Sequence, residues 1–145
     1  MSLGLYLHIP YCFSKCRYCD FYSAPGQRGV PRAYVDALLR ELSRFAPDAP
    51  LRPDTLYFGG GTPSLLDPAD AARLIAAAQP LPGAEITLEA NPETVTEDSL
   101  RAFREAGVNR ISFGVQSARD SQLKTLGRPH TAKQARAAFA AARRA

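Results

Sequence analysis

LGLYLHIPYCFSKCRYC, residues 3–19, joins a strand-like run to a short loop that carries all three cysteines of the chain. Apolar residues alternate with polar or small ones as far as Ile9, which is the period-two pattern of a half-buried β-strand. Cys12, Cys16 and Cys19 follow with the spacing C-x3-C-x2-C. They lie in the loop directly after the strand, where α/β folds place their reactive residues. This stretch therefore predicts a first strand that leads into a chemically reactive loop.

Three more strand-like runs alternate with helical patterns along the chain. The predicted strands are Leu3–Ile9, Thr55–Phe58, Glu85–Glu89 and Arg110–Val115. A first helix follows the apolar spacing from Tyr34 to Phe45 and stops at Pro47. The later helices have boundary signals at Asp67 with Pro68, at Thr96 with Gly107, at a capping box of Ser117 and Asp120 with Gly127, and at Thr131. This βαβα order predicts right-handed crossovers and a parallel sheet.

Each predicted strand has one apolar face and one polar or small face. In the first strand Leu5, Leu7 and Ile9 share one side, while Tyr6 and His8 share the other. Parallel strands covered on both faces usually read as continuous apolar runs, and a packed TIM-barrel interior is rich in branched aliphatic residues. We therefore expect an α/β fold of the partial (β/α) TIM-type barrel kind, with about four β/α units and polar faces around a ligand cavity. A complete flavodoxin-like sheet is the alternative.

The 145 residues have 46% hydrophobic and 22% charged content, which is ordinary for one globular domain. Residues 1–145 are therefore expected to form a single core domain. The chain stops inside a helical pattern with no glycine or proline stop signal and no following strand. Because four parallel strands would leave an open sheet edge, we expect this domain to be the N-terminal part of a longer barrel.

The charge is distributed unevenly. Residues 1–100 carry 8 Lys and Arg against 12 Asp and Glu, whereas residues 101–145 carry 10 against 2. Within residues 132–145 the basic side chains stand among eight alanines with Phe139 as the single aromatic residue, so a solvated helix face is favoured over a nucleic-acid surface. We expect no nucleic-acid partner and no membrane span, although peripheral membrane contact stays open. An odd cysteine count without a secretion signal favours a cytoplasmic protein with metal or redox chemistry.

The three cysteines are expected to converge on one metal centre. Soft thiolates at this spacing suit an iron–sulfur cluster or zinc. A zinc site needs a fourth protein ligand, and the nearby histidine, His8, is expected to point into the sheet face instead. A four-iron cluster normally takes four cysteines, so three would leave one iron open to an exogenous ligand.

With Tyr18 before the last cysteine, this loop resembles the signature of the radical S-adenosylmethionine (SAM) superfamily. The resemblance implies a 4Fe-4S cluster on Cys12, Cys16 and Cys19. It also implies that the amino and carboxylate groups of SAM chelate the open iron, and that an electron from the reduced cluster splits the sulfonium to give a 5′-deoxyadenosyl radical.

Four further stretches narrow the resemblance. Residues 5–12 (LYLHIPYC), 57–64 (YFGGGTPS), 89–92 (EANP) and 111–117 (ISFGVQS) are similar to the oxygen-independent coproporphyrinogen III oxidase and HemW-type haem chaperone family. That resemblance assigns Tyr6, Gly60 and Glu89 to a first SAM, and Gly61, Thr62, Gln116 and Arg128 to contacts that some members use for a second. It gives Tyr18 the role of shielding the cluster and packing on the bound cofactor.

The same residues also have ordinary interpretations. The glycine run ends a strand and permits positive φ, so its carbonyls and Thr62 could accept hydrogen bonds from an ammonium group or form only a tight turn. Glu89 could accept from ribose hydroxyls or be satisfied by loop amides. Tyr6 and Tyr18 fit plain amphipathic packing. Arg128 fits either a carboxylate or solvent.

The position of a fourth cysteine separates two branches of this family. The enzyme branch is recognised by C-x3-C-x2-C-x-C, whereas this chain has Phe21 at that position. The departure favours the haem-chaperone branch, with haem as cargo and an unidentified haem-acceptor protein as partner. A radical SAM oxidoreductase acting on a porphyrinogen is the second hypothesis, and a zinc-binding interaction module is the third.

Overall fold

The structure, a computed structural model, describes residues 2–45 and 49–145. Strands and helices alternate, in the order β1 Gly4–Ile9, α1 Arg32–Phe45, β2 Thr55–Gly60, α2 Pro68–Ala78, β3 Glu85–Ala90, α3 Glu97–Glu105, β4 Arg110–Phe113, α4 Asp120–Leu126 and α5 Ala132–Arg144. Single 3-10 turns, Pro63–Leu65 and Pro92–Thr94, follow β2 and β3. No helix within the described ranges has both the length and the apolar character needed to cross a bilayer.

The four strands form one parallel sheet in the order β1-β2-β3-β4. Leu5 lies opposite Leu56, and Leu56 lies opposite Ile86, so the apolar positions of neighbouring strands are in register. A flavodoxin-like sheet would instead have the order 2-1-3-4-5. The sequential order confirms the predicted α/β fold and is that of four consecutive units of a barrel.

The apolar face of the sheet packs against the helices, as predicted. Six apolar strand residues of this face are buried in one cluster with helix residues. The strands contribute Leu7, Ile9, Leu56, Phe58, Ile86 and Leu88, and the helices contribute residues that include Val35, Leu42, Leu74 and Phe103. On the opposite face Tyr6 is 53% exposed, while Tyr57 and Glu89 are half-buried. The alternation along each strand therefore separates a helix-packed core from a polar surface.

Most of the predicted boundaries agree with the structure. Asp67 caps α2 by accepting a hydrogen bond from the Ala69 amide at 2.8 Å, with Pro68 as the first helical residue. Thr96 and Thr131 cap α3 and α5 through capping boxes. Gly127 ends α4 with a φ of 75°, and α3 ends at Glu105, two residues before Gly107. The predicted stop at Pro47 lies outside the described residues.

Two predictions at the end of β4 are wrong. The strand ends at Phe113 rather than Val115, because the chain turns there: the Val115 amide donates to the Phe113 carbonyl and the Ser117 amide to the Val115 carbonyl, both at 2.9 Å. The capping box of Ser117 and Asp120 does not form, since Arg119 precedes α4 without a side-chain cap. Asp120 instead accepts from the Ala132 amide at 2.7 Å and so joins the starts of α4 and α5.

Asp67→Ala should lower the free energy of unfolding by about 1 kcal/mol, because it leaves an amide of the first turn of α2 without its acceptor. Asp67→Asn is the matched control, since its side-chain oxygen can still accept that bond. Equilibrium denaturation in urea measures both variants. Equal losses in the two variants would show that the cap contributes through its charge rather than through the hydrogen bond.

Candidate cluster and cofactor site

The loops at the carboxyl ends of the four strands surround one cavity of about 250 Å³. Parallel strands bring their carboxyl ends to the same edge of a sheet, which is where α/β folds bind ligands. The predicted site residues that line this cavity are Cys12, Cys16, Tyr18, Cys19, Gly60, Gly61, Thr62, Glu89, Gln116 and Arg128. Residues almost 120 positions apart in the sequence therefore face a single space.

The cysteine loop is tied down along its length by backbone hydrogen bonds. The Cys12 amide donates to the Ala24 carbonyl at 3.0 Å, and the Cys19 amide donates to the Cys16 carbonyl at 3.1 Å. The Arg17 amide reaches the last residue of α4, with 3.1 Å between its nitrogen and the Leu126 carbonyl oxygen. All three cysteines are free thiols; Cys12 is buried, and Cys16 and Cys19 are half-buried.

A continuous chain of polar contacts connects two of the thiols. Thr62 Oγ1 donates to Cys12 Sγ at 3.6 Å, and Asn91 Nδ2 donates to Thr62 Oγ1 at 3.2 Å. Arg128 Nη2 donates to Asn91 Oδ1 at 2.5 Å, and Arg128 Nη1 donates to Cys16 Sγ at 3.1 Å. The ends of β2 and β3 are thus linked to both sides of the cysteine loop.

Arg128 is held inside the site rather than in solvent. Its Nη2 also donates to the Gly114 carbonyl at 2.6 Å. Its Nε is buried, and no hydrogen-bond partner lies near it among the residues described. A buried donor without a partner is costly, so this position fits a ligand that supplies an acceptor.

Asn91 is the central member of this polar chain, and the sequence alone did not indicate it as a site residue. The residue lies in the quoted stretch at positions 89–92, immediately after β3. Its position at the carboxyl edge of a parallel strand was the available signal, because side chains there converge on one site. Nothing in the sequence indicated that its two amide atoms would be shared between Thr62 and Arg128.

The glycine run requires its glycines for two separate reasons. Gly60 has a φ of 115°, a backbone conformation that glycine adopts readily. A Cβ at this position would lie 2.6 Å from the His8 ring. A Cβ on Gly61 would lie 2.9 Å from Cys12 Sγ and 2.7 Å from the Tyr11 carbonyl oxygen. The absence of side chains therefore lets β2 approach the cysteine loop closely.

Glu89 is satisfied by two donors from β2. Tyr57 donates its hydroxyl to one carboxylate oxygen at 2.7 Å, and the Gly60 amide donates to the other at 3.1 Å. Burial, together with this hydrogen bond to Glu89, raises the pKa of Tyr57 above its ordinary value, so the phenol stays a donor. The carboxylate is consequently fixed in the cavity wall.

The two tyrosines predicted to contact the cofactor occupy different places. Tyr6 stacks on Tyr57 with 6.0 Å between ring centroids, on the open face of the sheet beside the cavity. Tyr18 lines the cavity and is 48% exposed. Burial raises the pKa of Tyr18; the nearby Arg128 opposes this shift, and Cys16 adds to it.

His8 is directed into the sheet face, as the sequence predicts. Its Nδ1 lies 3.1 Å from the Tyr6 hydroxyl, and its Nε2 lies 3.1 Å from the Tyr22 carbonyl oxygen. Within the part of the chain that the structure describes, no three His, Cys, Asp or Glu side chains are grouped as a site for a single metal ion. The zinc hypothesis therefore gains no support from the position of His8.

Gln116 lies in a strained turn at the mouth of the cavity. Its φ is 69°, and the Ser117 amide bonds the Val115 carbonyl across it, which is a three-residue γ-turn. Strained backbone of this kind persists where the surrounding contacts enforce it, and it is common at ligand sites. The turn places the Gln116 side chain in the cavity wall, next to the end of β4.

Comparison with known proteins shows to which family the chain belongs. The radical SAM superfamily is matched by residues 6–145. The chain is 47% identical over 142 residues to the heme chaperone HemW of Escherichia coli (strain K12), covering 94% of this chain and 38% of that protein. It is 41% identical over 151 residues to the mitochondrial radical S-adenosyl methionine domain-containing protein 1 of Bos taurus, covering 97% and 33%.

A solved structure gives the same result for the fold. Coproporphyrinogen III oxidase (HemN) from Escherichia coli, a radical SAM enzyme, matches with a TM-score of 0.86 and 32% sequence identity. The match covers 99% of this chain and 34% of that one. The chain thus spans little more than a third of the length of the relatives it matches. The chain has a cysteine loop at the carboxyl edge of β1 and a sheet of four sequential strands, as these matches lead one to expect. It belongs to the radical SAM superfamily.

Proposed function

We propose that this chain is the cluster- and SAM-binding part of a haem chaperone, whose full-length form passes haem to an acceptor protein. The observation that carries the proposal is the convergence of the three cysteines on one cavity that also holds Arg128 and the glycine run. The identity to bacterial heme chaperones supports the choice of branch. We propose a cytoplasmic location, where free thiols remain reduced.

Cys12, Cys16 and Cys19 would hold the 4Fe-4S cluster. Thiolates are the usual ligands of such clusters, and these three are free, close in sequence and exposed to the same cavity. When bound, the cluster supplies one electron and an iron without a protein ligand. Thr62 and Arg128 donate hydrogen bonds to the sulfur atoms of Cys12 and Cys16 and so restrict the orientation of these two side chains.

SAM would bind beside the cluster along the carboxyl edge of β2, β3 and β4. The positive charge of Arg128 and its Nε donor, unpaired among the described residues, suit a carboxylate, while its Nη groups are already hydrogen-bonded within the protein. Carbonyls of Gly60 and Gly61, with Thr62, suit an ammonium group. Glu89 and Gln116 offer oxygen acceptors for hydroxyls, and Tyr18 offers an aromatic face in the cavity wall. Tyr6 stacks on Tyr57 and is not part of the cavity lining.

Phe21 separates the chaperone from the enzyme. Its side chain is 69% exposed and lies at the rim of the cavity, at the position of the fourth cysteine of the enzyme branch. A phenyl ring supplies neither a metal ligand nor an acid or base.

An oxidase acting on a porphyrinogen is the second candidate, and the fold likeness to coproporphyrinogen III oxidase favours it.

Changing any one of Cys12, Cys16 and Cys19 to Ala should abolish the visible absorption of anaerobically reconstituted protein, because two thiolates cannot replace the three-ligand site. Iron and sulfide analysis of the same samples measures the loss. Ser14→Ala, in the same loop, is the control and should retain the cluster. Stoichiometric zinc without iron or sulfide in protein prepared without oxygen would contradict the proposal.

The full-length protein should bind haem and show no decarboxylation of coproporphyrinogen, whereas residues 1–145 alone should bind haem weakly. Four strands form only part of a cavity wall, and a ligand of this size needs a site that covers most of its surface. Haem titration followed by visible absorption, and anaerobic product analysis, measure the two activities. Robust turnover by the full-length protein, despite Phe21, would favour the enzyme instead.

A further inference from the structure

A buried histidine with an acidic partner lies behind the cavity, outside the residues assigned above. His130 is 2% exposed and lies between α4 and α5. Its Nδ1 is 3.1 Å from Glu93 Oε2, and its Nε2 is 3.1 Å from the Val115 carbonyl oxygen. The Glu93 side chain is itself only 16% exposed. Both ring nitrogens of this histidine therefore face oxygen atoms in a largely dry environment.

The identity of the two partners determines how many protons the site holds. A backbone carbonyl oxygen only accepts hydrogen bonds, and so does an ionised carboxylate. A neutral imidazole has one N–H, so it could satisfy one partner while directing a lone pair at the other. Burial makes such a mismatch expensive, since unpaired polar groups and unpaired charges are both costly away from water. The Val115 carbonyl can only accept, so Nε2 must carry a proton, and a second proton between Nδ1 and Glu93 satisfies the other contact.

Each of the three segments that meet at His130 also carries one side chain that lines the cavity. Glu93 lies in the turn after β3, two residues beyond Asn91. Val115 precedes Gln116 in the strained turn after β4. His130 itself follows Arg128 by two residues. One buried contact therefore fixes the backbone behind the cavity wall at three points.

We infer that His130 is a positioning residue that fixes the Gln116 turn in the cavity wall through its contacts with Glu93 and the Val115 carbonyl. The left-handed φ at Gln116 needs such an anchor, because a residue with a side chain leaves that conformation when its surroundings do not enforce it. The inference deepens the proposed function and rests on it for the ligand involved. The placement of the turn and the protonation of the ring do not depend on any ligand.

The first test uses nitrogen-15 NMR of the labelled chain without cofactors at pH 7. The chain has two histidines, so the ring signals are few, and His8→Gln identifies those of His130. Protonated and unprotonated ring nitrogens have well-separated chemical shifts. A protonated Nε2 is expected, because this nitrogen faces the Val115 carbonyl. An unprotonated Nε2 would overturn the assignment, since no hydrogen bond to Val115 could then form.

A pair of variants separates the contact with Glu93 from the bond to Val115. Glu93→Gln offers an amide N–H to Nδ1, so the ring should keep a proton on Nε2, and the bond to Val115 should remain. The Gln116 amide signal should then stay at its position. His130→Leu removes both bonds, so that signal should shift or broaden. An unchanged Gln116 signal in His130→Leu would overturn the positioning role.

Asn109→Ala is the control for a general loss of stability. Asn109 also holds backbone with two hydrogen bonds, to the Ile86 amide and the Ala84 carbonyl at 2.8 Å each, but at the opposite end of the sheet. His130→Leu should weaken SAM binding to the reconstituted protein by about tenfold, the scale of one hydrogen bond to SAM lost from a displaced Gln116, and Asn109→Ala by less than about twofold. Equal weakening in both variants would overturn the inference. If the parent protein binds no SAM, the proposed function fails, while the NMR results still decide the role of His130.

Discussion

The site depends on the hydrogen-bonded path from Cys12 through Thr62, Asn91 and Arg128 to Cys16. Thr62, Asn91 and Arg128 come from three different segments, so the path forms only when the parallel strands are in register and α4 is packed beside the cysteine loop. Its ends are thiols, and its centre is an amide that serves as donor and acceptor at once. The cysteine loop is thereby oriented by the sheet edge as well as by its own backbone bonds.

Close approach of backbone makes this path possible. The glycines at the end of β2 let that strand lie against the cysteine loop, and the turn at Gln116 lets β4 end at the cavity instead of extending past it. The polar face of the sheet has the same origin, because strict alternation in the strands commits the apolar residues to the helices. The fold thus leaves the carboxyl edge free for polar chemistry.

The sequence predicted what local patterns determine. Strand alternation, the caps at Asp67, Thr96 and Thr131, and the cysteine spacing each depend on a few adjacent residues, so the fold and the three cysteines followed from them. The other cavity residues were assigned through the resemblance of their motifs to a known family. The turn after β4 and the bridging role of Asn91 followed from neither, because they depend on contacts between distant segments. Ser117 was misjudged for a local reason: its hydroxyl accepts from the Arg119 amide and donates to Gln122, and α4 begins without it.

SAM binding by Asn91→Ala tests most directly whether this path organises the site. The variant leaves all three thiols in place but removes the acceptor for Arg128 and the donor to Thr62. Iron analysis of the reconstituted variant should give a content near that of the parent. Isothermal titration should give an affinity for SAM lowered by about tenfold, the scale of one hydrogen bond to SAM lost from a displaced Arg128. Unchanged affinity would show that Arg128 and the cysteine loop are positioned independently of the strand ends, contrary to this account.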